Sequence, residues 1–284
     1  MSASFSTMPG TGSLGFRPLG PGFAAEITGF DVAAQASAAT AEALRAAYRQ
    51  HQVLVLRGQV VSPEQQQRFG EIFGTTEIRE YNKVKPKDGY SSHVSNVLPD
   101  GVFGQGELRL HMDQLFFPEP LAALMLYAIE VPSEGGDTLF CDTSQVLAAM
   151  PAALRDRISG LTARTGRHYD AETAQRYNVS IAPETIVHND HKLVWREPET
   201  GRQALWIGRR ELTRMVHGLA EDEAQALLDQ VRACINASPA LYRHKWRPHD
   251  LVLWNNRTLQ HAREPFDNSQ PRTLRRTALM ARAA

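Results

Sequence analysis

Apolar positions recur along the chain with two different periods. In Ala38 to Gln50 (AATAEALRAAYRQ), Leu44, Ala47 and Tyr48 fall at helical spacing, and the aliphatic run Val53-Leu54-Val55-Leu56 follows, closed by Arg57-Gly58. This pattern predicts a helix feeding a buried strand. Ser62-Pro63-Glu64-Gln65 offers an N-cap serine, a proline at the first helical position and a glutamine three residues after the cap. Phe69, Ile72 and Phe73 form the apolar face, and Gly74 is the stop.

From about Ser91 the pattern changes to short runs of β-formers separated by turn residues. The expected strands are Leu121 to Val131, Asp137 to Cys141, Leu161 to His168, Ala204 to Ile207, Tyr242 to Trp246, Leu251 to Asn255 and Thr273 to Ala281. Two helical stretches interrupt them. Thr143 to Ile158 is broken by Pro151, and Glu221 to Ile235 places Ala224, Leu227, Leu228, Val231 and Ile235 on one face. So many short strands predict a sandwich or jelly roll, mainly β with flanking helices.

Composition narrows the function classes. The 284 residues carry 31 basic and 31 acidic side chains, so no global field exists to hold nucleic acid or an anionic membrane. Residues 1–12, rich in Ser, Gly, Thr and Pro, read as a disordered tail, and 13–284 as one domain without a linker or repeat. The first twenty residues lack a signal-peptide pattern and no long apolar run occurs, so the expected location is the cytoplasm. Cys141 and Cys234 have no CxxC partner and are expected to be reduced, buried small hydrophobes. The four tryptophans lie in strand-like runs and are expected in the core. Homo-oligomerisation is left open.

Leu110-His111-Met112-Asp113 is the first element with chemistry. On a strand, side chains two apart share a face, so His111 and Asp113 would meet one ion. An iron(II) that must leave room for oxygen and a chelating co-substrate takes two histidines and one carboxylate on one face of its octahedron. The pair alone also fits a surface histidine beside an acid, so a distal histidine is needed. Asp250-Leu-Val-Leu-Trp-Asn-Asn-Arg257 followed by Thr258-Leu-Gln-His261 reads as a strand, a polar turn and a second strand delivering that histidine. Arg272 and Arg276 come eleven and fifteen residues later, and their even separation puts both on the face of Leu274. A guanidinium offers a fixed fork of donors for carboxylate oxygens.

With these motifs the sequence resembles the taurine dioxygenase and 2,4-dichlorophenoxyacetate dioxygenase family of Fe(II), 2-oxoglutarate-dependent oxygenases. The resemblance runs from Leu19 through nearly the whole chain, including Gly22 to Asp31, Val53 to Gln59 with Ser62 to Gly74, and the turn Gly135-Gly136-Asp137-Thr138. It implies a double-stranded β-helix fold, with His111, Asp113 and His261 binding iron and Thr138 and Arg272 holding the distal carboxylate of 2-oxoglutarate. Arg276 matches the position that meets an acidic group of the substrate or lies beside the co-substrate. Residues 77–105 correspond to substrate loops, with Tyr81 and Asn82 in them as further candidates for substrate contact, and Phe116, beyond them, is another. The implied activity is hydroxylation, or cleavage after hydroxylation, of a small anionic molecule, with O2 consumed and succinate and CO2 released. Asp113 favours hydroxylation over halogenation, because related halogenases lack a carboxylate there. The family's WDNR reads Trp254-Asn255-Asn256-Arg257, and Leu110 and Met112 also depart from its common pattern.

Three other readings compete with this one, and the first, a mononuclear zinc hydrolase on the same three ligands, would leave Arg272 and Thr138 without a purpose. A non-catalytic small-acid or metal-binding member of the same fold would lack a ligand or an arginine, and none is missing. His188-Asn-Asp-His191 has the wrong step for a helical zinc pair and no third ligand spaced nearby.

Overall fold

A computed structural model describes residues 13–20, 22–76, 92–166 and 188–282. The expected tail, Tyr81, Asn82 and His168 therefore lie outside the described residues. The chain begins with β1 (Gly15–Pro18), β2 (Ala24–Thr28), α1 (Ala38–His51), β3 (Val53–Leu56), α2 (Pro63–Gly70) and β4 (Thr75–Thr76). It continues with β5 (Ser92–Ser95), β6 (Leu108–His111), β7 (Ala123–Glu130), β8 (Thr138–Asp142), α3 (Thr143–Ala149) and α4 (Ala152–Ile158). Then come β9 (Thr162–Gly166), β10 (His188–Lys192), β11 (Val194–Arg196), β12 (Gln203–Leu205), β13 (Thr213–Val216) and α5 (Glu221–Asn236). The described elements end with β14 (Leu241–His244), β15 (Leu251–Asn255), β16 (Leu259–Arg263) and β17 (Thr273–Met280).

Local chemistry accounts for the helix limits. Ser37 caps α1 by accepting from Thr40 N, and Ser62 and Gln65 form a reciprocal capping box at the start of α2. α2 ends at Gly70 rather than Gly74, with Glu71 to Phe73 in turns. Pro151 separates α3 from α4, as its missing N–H requires. Among the described residues no helix is long and apolar enough to cross a membrane.

Two sheets make the frame. The larger runs β1-β2-β3-β15-β7-β17-β4, with β5 also paired to β17, and the smaller runs β14-β8-β16-β6. All their pairings are antiparallel except β2 with β3. Alternation along the strands sorts the side chains. Val53, Val55, Leu124, Leu126, Val252, Trp254, Leu274 and Ala278 face inward and pack on Phe140 and Leu259 of the smaller sheet. Their neighbours Leu54, Leu56, Met125, Leu251, Leu253 and Leu279 face outward under α1 and α2, against Leu44, Phe69 and Phe73. The outer face of the smaller sheet, through Cys141, is covered by α3 and α5. This arrangement is the jelly roll, mainly β with flanking helices. Cys234 departs from expectation in being only half-buried, since it sits beside the buried stripe of α5 rather than in it.

Candidate active site

His111 closes β6, and a bulge aims it. Opposite β16, His261 pairs with His111 and Arg263 with Leu108, so three steps on β6 match two on its partner. Strict alternation would send Leu108 and His111 to opposite faces. The extra residue lets both line the interior cavity, while Leu110 between them packs against the outer core.

Asp113 corrects the strand argument, because it lies beyond the end of β6 in a turn. There Asn256 fastens it: Asp113 N donates to Asn256 Oδ1 at 2.9 Å, and Asn256 Nδ2 donates to Asp113 O and Leu121 O, both at 3.0 Å. Gln114 follows in a left-handed conformation with φ 60°, which turns the chain away. The β15–β16 turn that delivers His261 thus also holds Asp113. Asn255, where the family motif has an acid, accepts from Arg257 N and Thr258 N and donates to Glu197 Oε1 at 3.4 Å, a contact that an acid would replace with repulsion. Met112 is buried with Leu115 and Trp206.

The three side chains converge. His111 Nε2 and His261 Nε2 lie 3.3 and 3.8 Å from Asp113 Oδ1, and the ligating atoms all fall within 4.8 Å of one another. Two donors each about 2.1 Å from one ion and at a right angle are about 3 Å apart, so the spacing fits a shared metal with its other face open. His111 Nδ1 sits 2.8 Å from Arg109 O, a contact that only a protonated Nδ1 satisfies, leaving Nε2 for the ion. The His261 ring packs against His111 and Trp254, with centroids 4.2 and 4.9 Å away. Burial, reinforced by the charge of His111, pulls His261 down to about 3. Its ring is neutral at pH 7 with its lone pair available. Burial pushes the Asp113 carboxyl upward, but the Arg276 charge, the His111 hydrogen bond and the charges of both histidines outweigh it and hold the group well below the usual carboxylate range.

The arginines answer to different partners. Arg276 Nη2 donates to Asp113 Oδ2 at 2.7 Å. Arg272 is 2% exposed, donates to Gly136 O through Nη2 at 3.0 Å and Nε at 3.3 Å, and lies over the Phe266 ring, 5.7 Å from its centroid. Among the described residues no carboxylate lies within ion-pair distance of it, and burial, with the like charge of Arg263 adding, pulls its guanidinium down to about 9. Gly136 has φ +67° and a Cβ there would stand 2.9 Å from Arg272 Nε, so glycine is what lets the two meet. Thr138 shares the cavity and accepts from Trp246 Nε1 at 2.9 Å, which leaves its own hydroxyl hydrogen to be donated elsewhere.

His111, Asp113, Thr138, His261, Arg272 and Arg276 line one cavity of about 100 Å³. Phe116 lines it too, as do Val94 and Phe103 from the described part of the expected substrate loops. Trp254 lines this cavity as well as the core, contrary to a purely structural reading, whereas Trp195 and Trp206 stack on each other 4.6 Å apart away from it. Sequence reading missed Arg209, Leu212 and Arg263. The signal for Arg263 was available: it stands two residues after His261 on β16 and so shares its face. Its guanidinium donates to Phe103 O, to Gln105 O at 2.8 Å and to Gly106 O at 2.6 Å, clasping that loop. Among the described residues, His111, Asp113 and His261 are the only cluster with metal-ligand spacing, so His188 and His191 do not form one.

A jelly roll with two histidines and a carboxylate converging beside a buried arginine defines a mononuclear iron oxygenase. The chain belongs to the taurine catabolism dioxygenase TauD, TfdA family, whose sequence profile matches residues 15–278. It is 30% identical to the (S)-phenoxypropionate/alpha-ketoglutarate-dioxygenase of Sphingobium herbicidovorans, with 90% of this chain and 91% of the relative covered. It is 29% identical to the alpha-ketoglutarate-dependent 2,4-dichlorophenoxyacetate dioxygenase of Cupriavidus pinatubonensis, over 93% of this chain and 96% of that one. The crystal structure of AAD-2 in complex with Mn(II) and N-oxalylglycine superposes with a TM-score of 0.76 at 25% identity, covering 96% of this chain and 98% of the other. The protein is therefore a 2-oxoglutarate-dependent dioxygenase that uses Fe(II), 2-oxoglutarate and O2 for hydroxylation-type chemistry. The non-catalytic alternative is not favoured.

Proposed function

We propose that the enzyme hydroxylates a small organic anion, with His111, Asp113 and His261 holding Fe(II). Thr138 and Arg272 take the distal carboxylate of 2-oxoglutarate, and Arg276 and Phe116 meet the substrate. The observation that carries this reading is that three metal-type donors and a buried guanidinium, without an ion-pair partner among the described residues, open into one cavity. The anionic substrate is supported by Arg276 in the lining of that cavity and by relatives named for phenoxypropionate, 2,4-dichlorophenoxyacetate and, at 26% identity in Pseudomonas putida, a sulfate ester. Tyr81 and Asn82, outside the described residues, belong to the same proposal.

When bound, Fe(II) couples oxidative decarboxylation of 2-oxoglutarate to insertion of one oxygen atom into a substrate C–H bond, the other oxygen leaving in succinate. The chain's own residues prepare this. Arg276 keeps Asp113 ionised and fixes its second oxygen, and the Arg109 carbonyl sets the His111 tautomer. Thr138 aims its hydroxyl away from Trp246 and Arg272 supplies a planar fork, so both suit a carboxylate. Phe116, Leu126 and Trp254 keep the reacting bond in an apolar enclosure.

The test is succinate release from a panel of small anions. Turnover should require Fe(II), O2 and 2-oxoglutarate together and disappear in His111→Ala and His261→Ala, while activity that survives a strong chelator contradicts the reading. Arg276→Gln should raise KM for the substrate more than KM for 2-oxoglutarate. The reverse order would move Arg276 to the co-substrate.

A further inference from the structure

Among the described residues four arginines line the cavity, and three are committed. Arg272 faces the Gly136 turn, Arg263 clasps the loop carbonyls of Phe103, Gln105 and Gly106, and Arg276 is paired with Asp113. Arg209 is different. Its side chain is only 13% exposed, and its one ion-pair partner among the described residues, Glu211, is 54% exposed, so their pairing is screened by water and readily replaced. Arg209 Nε lies 3.1 Å from Glu211 Oε1 but off the N–H direction, leaving this buried donor without a hydrogen bond.

The turn that carries Arg209 is rigidly built. Gly208 N donates to Thr213 Oγ1 at 2.9 Å, and Thr213 Oγ1 meets Thr165 Oγ1 at 2.7 Å. Leu212 N and Thr213 N both donate to Arg209 O, and Arg232 from α5 donates to Gly208 O and Thr213 O. A Cβ on Gly208 would come within 2.8 Å of Thr213 Oγ1, so the turn closes only on glycine. Arg209 and Leu212 are thus presented to the cavity by a fixed support, as a residue that selects ligands must be.

We infer that Arg209 is a specificity-determining residue that binds the anionic head group of the substrate, a carboxylate or sulfate. The apolar body of the substrate then lies along Leu212 and Phe116 toward His111 and His261. This rests on the anionic-substrate reading and adds to it a second anchor: Arg276 already shares its charge with Asp113, whereas the partner of Arg209 faces water and can yield to a ligand. The substrate class is an organic anion with an apolar body, its charge held apart from the carbon that reacts.

Binding to the enzyme loaded with Fe(II) and 2-oxoglutarate under nitrogen tests this, read by quenching of tryptophan fluorescence, since Trp254 lines the cavity. The probes are 2,4-dichlorophenoxyacetate against its neutral amide, and hexyl sulfate against hexanol. The wild-type protein should favour the anion of at least one pair about tenfold or more, and Arg209→Gln should bring that ratio close to one. Arg209→Lys, which keeps the charge and loses the fork, should fall between. If the wild-type ratio is large and Arg209→Gln preserves it, the assignment of Arg209 is overturned and the anionic reading stands. If no anion binds more tightly than its neutral partner in the wild-type protein, the anionic reading itself falls.

Discussion

Arg272 and Thr138 are the residues at which single-atom changes should be most informative. Arg272 is buried and, among the described residues, has no carboxylate within ion-pair distance, so the ligand that completes it should be felt strongly. Arg272→Lys keeps the charge but cannot form the bidentate fork. KM for 2-oxoglutarate should rise by roughly 10- to 100-fold, the equivalent of about 1.5 to 3 kcal/mol for a charge-assisted hydrogen bond. Thr138→Val should raise it less, because a neutral hydroxyl contributes about 1 kcal/mol. Initial rates against 2-oxoglutarate concentration decide this, and an unchanged KM in the lysine variant would remove Arg272 as the anchor. Arg272 immediately precedes β17 and Arg276 lies on it, and residues four apart along extended chain are roughly 13 Å apart, too far to share one carboxylate.

The decisive elements are the β6 bulge and the turn between β15 and β16. The turn performs two tasks at once, delivering His261 on the next strand and holding the Asp113 turn through Asn256. Asn256→Ala removes those hydrogen bonds and leaves every ligand in the sequence. Affinity for Mn(II), measured by titration of the metal-free protein, should fall about 10- to 100-fold, as it does when groups that orient metal ligands are lost. An affinity equal to the wild type would mean that the Asp113 turn keeps its shape without Asn256. Both elements use contacts that begin far apart in the chain, and neither announces itself as a local pattern.

Across the whole molecule, several histidines are folded into the protein in the neutral form. Burial lowers His51, His244 and His261 below the usual histidine range, although Asp250 opposes the effect at His244, which lies fully inside with Asp250 and Tyr242. A group whose folded pKa is depressed contributes stability above its unfolded pKa and loses it as pH falls. For these histidines the loss begins near their unfolded value of about 6.5, well above the range in which Asp113 and Asp190 take up protons. The thermal midpoint of the metal-free protein should therefore drop between pH 7 and pH 5 at constant ionic strength. A flat or rising profile across that window would contradict the neutral assignments.

The short-range physics of the chain was readable in one dimension. The Ser62 capping box, the break at Pro151, the buried stripe of α5 and the two-residue alternation that sends Arg272, Leu274 and Arg276 to one face all depend on neighbours within a few positions. The grouping of His111, Asp113 and His261 was legible because their residue types and the resemblance of the motifs around them pointed to the same chemistry. The tertiary structure alone decided how His111 and Asp113 meet, since a bulge and a turn bound by Asn256 replace the regular strand that a two-residue step suggests. It also decided that Arg276 pairs with Asp113, that Arg263 clasps a loop, and that Arg209 reaches the cavity. The spacing of residues along a strand states which face a side chain takes. Which distant group stands opposite it is set only when the sheets close around a shared interior.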